Sequence, residues 1–179
     1  MQHIPAKIRT KAKKIKLLLL DVDGVLTDGG IVMNDRGEEI KRFDVRDGHG
    51  IRLLLRGRIQ VGLITGRSSK VVNHRAKDLG ISIVYQQVYN KLEVYQKIKR
   101  RSRLQDREIA YAGDDIVDLP ILKRVGLAMA VKDGWPDLKR DVDYVTSNGG
   151  GRGAVREIVE ILLKAQGKWK NLTRRYYAT

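Results

Sequence analysis

The sequence contains no cysteine. Disulfides and thiolate-held metals are therefore excluded, and a reducing cytosolic compartment is the expected setting. No apolar run approaches the roughly 20 residues that a membrane-spanning helix needs. The apolar run at residues 17–20 is too short for the core of a secretion signal and leads straight into acids. Aromatic residues make up 6% of the chain, and no aromatic–basic signature of RNA binding is visible. Acids are scarce beside bases: 21 Asp and Glu against 36 Lys and Arg leave a formal charge of +15. Such a charge admits nucleic acid, an anionic membrane surface or a small anionic substrate as partner. The cations gather at the ends, with Lys7, Arg9, Lys11, Lys13, Lys14 and Lys16 at the start and Lys164, Lys168, Lys170, Arg174 and Arg175 at the finish. These ends are expected to be a solvated basic arm (residues 1–13) and a frayed tail (residues 170–179) rather than a nucleic-acid surface. His3 and His74 have no partners at metal-ligand spacing and are expected on the surface.

What is present is an ordinary globular composition, 42% hydrophobic and 32% charged over 179 residues, which fits one domain spanning residues 1–179. Short apolar runs at residues 16–21, 59–64, 82–85, 108–112, 127–131 and 143–146 read as strands. Between them, residues 50–56, 68–79, 90–104, 117–123 and 154–164 carry apolar residues at helical spacing. Ser68 and Asn90 are candidate N-caps, the latter with Glu93 three positions on, and Gly80 and Gly126 are candidate C-terminal caps. Alternation of this kind predicts an α/β, Rossmann-like parallel sheet with helices on both faces and no large cap domain. One segment breaks the pattern. Residues 30–47 contain Asn34-Asp35-Arg36-Gly37 between two extended arms and predict a β-hairpin inserted after the first strand. Alone it would be marginal, so it must lean on its own domain or on a neighbouring subunit.

In a parallel sheet, ligands bind at the carboxyl ends of the strands. The first strand ends in Asp21-Val22-Asp23-Gly24, two carboxylates on one side of an extended segment with a glycine to turn the chain. The next strand ends in Thr65-Gly66-Arg67, the third main helix begins at Lys91, and the fourth strand ends in Gly113-Asp114-Asp115-Ile116-Val117-Asp118. Each piece has a plain reading: a metal clamp or turn, a helix entry, a solvated lysine, capping acids. In this order on successive strand ends they suit phosphoryl transfer, which needs a nucleophile, charge neutralisation and accurate positioning.

That order resembles the haloacid dehalogenase superfamily of phosphohydrolases. Residues 21–29 match its first motif, Thr65 its second, Lys91 its third and residues 113–118 its fourth. The stretches at residues 43–52, 63–72, 113–120 and 149–169 further resemble its phosphatases of 3-deoxy-D-manno-octulosonate 8-phosphate (KDO 8-phosphate), which serve lipopolysaccharide core synthesis. The resemblance implies that Asp21 is the nucleophile and Asp23 the general acid and base. It implies Mg²⁺ held by Asp21, the Asp23 backbone carbonyl and Asp114, with Thr65 and Lys91 on the phosphoryl oxygens. Asp115 and Asp118 are supporting residues: one orients Lys91 or a metal-bound water, the other caps the helix near Ile116. Gly66, Arg67, Arg75 and Lys91 are implied on the substrate side, with the two arginines suited to a sugar-acid carboxylate. In related phosphatases for a nine-carbon keto-sugar acid the position of Arg67 is Glu, so Arg67 favours the eight-carbon substrate. The family further implies a cytoplasmic homotetramer joined through the hairpins, with a C-terminal tail that can enter a neighbouring active site. His49 stands where relatives often have Tyr, either at the substrate or at a structural hairpin–helix junction. A phosphatase-like module kept only for oligomerisation and a nucleic-acid binder are the non-enzyme alternatives.

Overall fold

The computed structural model describes residues 4–177. Its elements run α1 (Ala6–Ala12), β1 (Leu17–Leu20), β2 (Val32–Met33), β3 (Glu39–Ile40), α2 (Val45–Arg56), β4 (Gln60–Ile64), α3 (Lys70–Leu79), β5 (Ile83–Tyr85), α4 (Lys91–Ser102), β6 (Ile109–Gly113), α5 (Leu119–Leu122), β7 (Leu127–Ala130), β8 (Tyr144–Val145), α6 (Ala154–Ala165) and α7 (Trp169–Thr173).

The four leucines of β1 are all fully buried, as a strand covered on both faces requires. Side chains alternate across a strand. Leu18 and Leu20 therefore enter the core beneath α1, α2, α3 and α6, while Leu17 and Leu19 enter the core beneath α4 and α5. Burying each leucine stabilises the fold by about 1.5–3 kcal/mol before entropy is counted. All pairings in the six-stranded sheet are parallel, in the order β5-β4-β1-β6-β7-β8. The chain leaves β1 for β4 and β5 on one side, then returns to build β6, β7 and β8 on the other. This reversal beside β1 opens a crevice at the strand ends. Register fixes what lines it: Leu20 pairs with both Leu63 and Ala112. Asp21 therefore leaves the sheet level with Ile64 and Gly113, and Thr65 and Asp114 follow one step later.

Several expectations need correction. The hairpin is narrower than residues 30–47, because α2 begins at Val45 rather than at residue 50. The Asp44 side chain accepts from the Arg46 and Asp47 backbone N–H groups and caps that helix, which outweighs the low helix propensity of Gly48 and Gly50. The N-cap of α3 is Ser69, not Ser68, and its side chain makes no capping bond. Gly80 does close α3, with φ +81. Gly126 caps nothing. It lies four residues beyond α5, where a Cβ would meet the Arg107 backbone at 2.5 Å.

Nor are the described parts of the ends solvated coil. Ile4, Ile8 and Ala12 recur every fourth residue and dock α1 on the core, leaving Lys7 and Arg9 outside and Lys11 half-buried against Asp143. At the other end, Thr173 is buried, and Trp169 lies against Arg156 and Lys164, 5.1 and 5.3 Å from its ring centroid. The Tyr176 hydroxyl reaches His49 Nε2 at 2.9 Å, and His49 Nδ1 meets Arg156. The tail thus folds back over its own α2 and α6, and His49 joins it there. His74 is exposed. Residues 1–3, with His3, and residues 178–179 lie outside the described residues.

Candidate active site

Asp21 is buried at the end of the central strand, where its Oδ1 accepts the Val22 N–H at 2.7 Å. Its Oδ2 meets Lys91 Nζ at 2.8 Å. Lys91 opens α4 behind the cap made by Asn90, whose side chain accepts the Glu93 N–H. A lysine in a first helical turn is disfavoured by the helix dipole, but here it is buried and spans two carboxylates, with Asp118 Oδ1 at 2.7 Å on its other side. Burial pulls the Lys91 ammonium down, yet Asp21 and Asp118 outweigh it and the net shift is upward. Asp118 is fully committed. Its Oδ1 also accepts from the Tyr111 hydroxyl at 2.5 Å, and its Oδ2 accepts the Asp114 and Asp115 backbone N–H groups. It is thereby an anchor for Lys91 and for the loop after β6. Asp115 turns outward and accepts the Ile116 N–H at 2.7 Å.

Asp114 is different. Its Oδ1 is buried and has no hydrogen-bond partner. Oxygens of Asp21, Asp114 and Asp118 all lie within 4.8 Å of one another. Burial, then Asp21 and Asp118, push Asp114 up to about 8, while burial and Asp118 push Asp21 up to about 6 against the pull of Lys91. One ammonium faces three carboxylates, so the cluster lacks positive charge. All its donors are hard oxygens, the set that Mg²⁺ takes. Asp21 and Asp114, two of the expected Mg²⁺ ligands, therefore fit such an ion, with Asp118 close by but spent on other partners.

Gly24 and Gly150 make the cluster possible. A Cβ on Gly24, which has φ +87, would stand 2.0 Å from Asp114 Oδ2, and one on Gly150 would stand 1.7 Å from the Gly24 carbonyl oxygen. The glycine run before α6 thus presses directly on the loop that carries Asp21 and Asp23. Asp47 holds that run in place by accepting the Gly153 and Arg156 N–H groups.

A cleft of about 460 Å³ gathers Asp21, Asp23, Thr65, Gly66, Arg67, Lys91, Asp114 and Asp115 on its wall. A wider hollow of about 820 Å³ beside α7 has no acid on its wall, so chemistry rather than volume identifies the site. Asp23 Oδ2 receives the Thr65 hydroxyl at 3.4 Å. Its Oδ1 contacts the buried ammonium of Lys41, which also meets Glu39 at 3.0 Å. Arg67 Nη2 reaches the same Glu39 at 2.9 Å, and Arg67 Nε is buried with no hydrogen-bond partner, 4.0 Å from Asp23 Oδ2. Arg75 is not brought to the cleft. It pairs with Asp78 at 2.8 Å, stacks over Phe43 and packs against Gly48 of α2.

Sequence reasoning missed Tyr111, Glu39 and Lys41. A single hydroxyl-bearing residue in the buried run of β6 was a usable sign of the first. The alternation Glu39-Ile40-Lys41, which turns both charges to one side and leaves Ile40 exposed, was a sign of the other two.

A profile of haloacid dehalogenase-like hydrolases matches residues 81–158. The 3-deoxy-D-manno-octulosonate 8-phosphate phosphatase KdsC of Escherichia coli K12 is 48% identical over 165 residues, covering 92% of this chain and 88% of that protein. A crystal structure of the Yersinia pestis phosphatase of the same name superposes with a TM-score of 0.91 at 45% identity, covering 92% of this chain and 89% of that one. The Moraxella catarrhalis phosphatase, solved with a magnesium ion, a phosphate ion and KDO, gives a TM-score of 0.93 at 40% identity, covering 95% and 98%.

Proposed function

Because this chain belongs to the haloacid dehalogenase-like hydrolases, and is 48% identical to a KDO 8-phosphate phosphatase over 92% of its length, we propose that it hydrolyses KDO 8-phosphate to KDO and inorganic phosphate. The observation that carries the reading is the placement of Lys91 against Asp21 on the cleft wall shared with Thr65 and Asp23.

Asp21 attacks phosphorus, and the P–O bond to the sugar breaks as Asp23 gives its proton to the leaving oxygen. Water then attacks the phosphorus of the aspartyl-phosphate and passes a proton to Asp23. Phosphate leaves, and Asp21 is restored. Thr65 and Lys91 hold the phosphoryl oxygens and stabilise their charge. Asp21, Asp114 and the Asp23 carbonyl would hold Mg²⁺, which when bound cancels repulsion between the anionic nucleophile and the anionic phosphate. Gly66 leaves room beside the phosphate. Arg67, whose buried Nε makes no hydrogen bond, takes the sugar-acid carboxylate. Arg75 bears on this group only indirectly, through α2 and Phe43.

The hairpin carries Ile31, Val32, Met33 and Ile40 more than half exposed. Two short strands with such a face need a cover, and pairing of hairpins in a homotetramer supplies one. Among the described residues no helix is long and apolar enough to cross a membrane.

The test is phosphate release from a panel of sugar and sugar-acid phosphates, with and without Mg²⁺, for the wild type and Asp21→Asn. Mg²⁺-dependent release, strongest on KDO 8-phosphate and abolished by Asp21→Asn, is expected. Equal turnover in the variant refutes the mechanism, and preference for the nine-carbon keto-sugar acid refutes the substrate.

A further inference from the structure

The hairpin after β1 puts an ammonium on a carboxylate that has a proton to move. Lys41 follows β3 directly, and its side chain is 1% exposed, although it belongs to a thin two-stranded insertion. Burying an ammonium is costly unless it is paired. Both its acids are present: Asp23 Oδ1, and Glu39 two residues earlier on the same side of the strand. Glu39 is also gripped by Arg67, in the loop after β4 that carries Thr65. The contacts close a ring through Thr65, Asp23, Lys41, Glu39 and Arg67, joining three segments far apart in sequence. Within that ring the two oxygens of Asp23 differ. Oδ1 is occupied by Lys41, while Oδ2 points to Thr65, where the phosphoryl group is to be held, with Arg67 Nε a further 4.0 Å away.

We infer that Lys41 is a positioning residue for Asp23: it fixes Oδ1, so that Oδ2 carries the proton to and from the reacting oxygens. In the first half-reaction, the electron pair of the breaking P–O bond moves to the leaving oxygen, and the Asp23 Oδ2 proton follows it. In the second half-reaction, the attacking water returns a proton to the same Oδ2. Without Lys41, Asp23 keeps only two long contacts, both on Oδ2, to the Thr65 hydroxyl at 3.4 Å and to Arg67 Nε at 4.0 Å, and its Oδ1 is no longer held. The hairpin is then part of the proton-transfer machinery as well as a cover. This inference rests on the phosphatase reading above.

Leaving-group chemistry separates positioning from mere structural support. A nitrophenolate departs without a proton, whereas an alkoxide of a sugar does not. The measurement is kcat/KM for Lys41→Met, Lys41→Arg and wild type on KDO 8-phosphate and on aryl phosphates from 4-nitrophenyl to phenyl. The aryl series lacks a carboxylate, so any contact of Arg67 with a substrate carboxylate does not enter it. kcat/KM also ends at release of the leaving group, before water attacks. For Lys41→Met the expected loss is about threefold or less on 4-nitrophenyl phosphate. It grows along the series and reaches on the order of a hundredfold on KDO 8-phosphate, within the usual contribution of a general acid. The same variant should release a burst of one nitrophenolate per site and then turn over slowly, because the second proton transfer is also impaired. Lys41→Arg should restore both behaviours in part. A uniform loss across the aryl series, or no loss at all, overturns the inference. Should Lys41→Met be unstable, the slope along the series in Lys41→Arg decides, since each slope is a ratio within one sample: a slope equal to the wild type's overturns the inference. Wild-type enzyme inactive on every substrate would instead refute the phosphatase reading itself.

Discussion

Proton competition at Asp114 should make Mg²⁺ affinity steeply dependent on pH. Without the ion, burial and the neighbouring carboxylates hold Asp114 up to about 8 and Asp21 up to about 6. A carboxylate must lose its proton to bind the metal. At pH 6, a group that titrates near 8 is ionised in about one molecule in a hundred, and at pH 8 in about half, a factor of about fifty. Asp21 contributes about twofold more, so Kd should tighten about a hundredfold from pH 6 to pH 8, equivalent to about 2.7 kcal/mol. The sign for stability follows. Both acids titrate higher in the folded metal-free chain than in the unfolded one, so the folded state carries extra protons. Their contribution is therefore fully present below pH 3.8 and is lost as pH rises through about 6 and then about 8. Bound Mg²⁺ reverses that loss, so the Tm gap between metal-loaded and metal-free protein should widen toward pH 8. Calorimetric titration in two buffers of different ionisation enthalpy gives both Kd and protons released, with nearly one proton per Mg²⁺ expected at pH 7. Asp114→Asn should bind more weakly with a flattened pH dependence. A wild-type Kd constant within about threefold over this range, with no proton release, would refute the crowded-carboxylate account.

Two further outcomes test the packing. Gly24→Ala places a methyl 2.0 Å from Asp114 Oδ2 at a backbone φ of +87. It should cost about 1–2 kcal/mol of stability by denaturant titration but on the order of a hundredfold in Mg²⁺-dependent turnover, and an active variant would mean that the close approach is unimportant. Ile8→Ala, in an arm that would be solvated coil on composition alone, should cost about 2–4 kcal/mol because Ile8 is 3% exposed, with kcat and KM unchanged. A cost below about 0.5 kcal/mol would return the arm to the solvent.

The proposed catalytic groups could be picked out because each sits in a short contiguous motif at a strand end, and strand register alone brings those ends together. Asp21, Thr65 and Asp114 need nothing more than the parallel sheet order to converge. What was hidden depends on approaches between distant segments. Lys41 reads as one more cation until the hairpin folds over Asp23, and Tyr111 reads as a core aromatic until Asp118 comes round beneath Lys91. The start of α2 was masked by two glycines, whose low helix propensity is overridden by the Asp44 cap and by tertiary packing. Arg75 shows the converse failure. Its residue type suits a carboxylate, but its place on α3 aims it at Asp78 and Phe43. The ends were misread because charge density masked a four-residue apolar spacing at Ile4, Ile8 and Ala12.

That misreading bears on how the net charge of +15 acts. Lys13, Lys14, Lys16, Arg58, Arg107 and Lys168 share a groove of about 600 Å³ at the amino ends of the strands with one acid, Glu108, whereas Asp21, Asp23 and Asp114 sit at the carboxyl ends. Lys16 and Asp21 flank β1 at its two ends, which sets their separation at about 16 Å, at 3.3 Å per residue. The Debye length in physiological salt is about 8 Å. Cations two such lengths away are screened and contribute little to drawing a phosphate into the cleft. On the phosphatase reading, capture of a doubly charged anion therefore falls to Lys91 and Arg67 on the cleft wall, each already holding a carboxylate in the substrate-free chain. Entry of substrate is then an exchange of anionic partners among fixed cations. In such an exchange the pre-formed pairs keep the cations in register, at the cost of competing with the ligand they await.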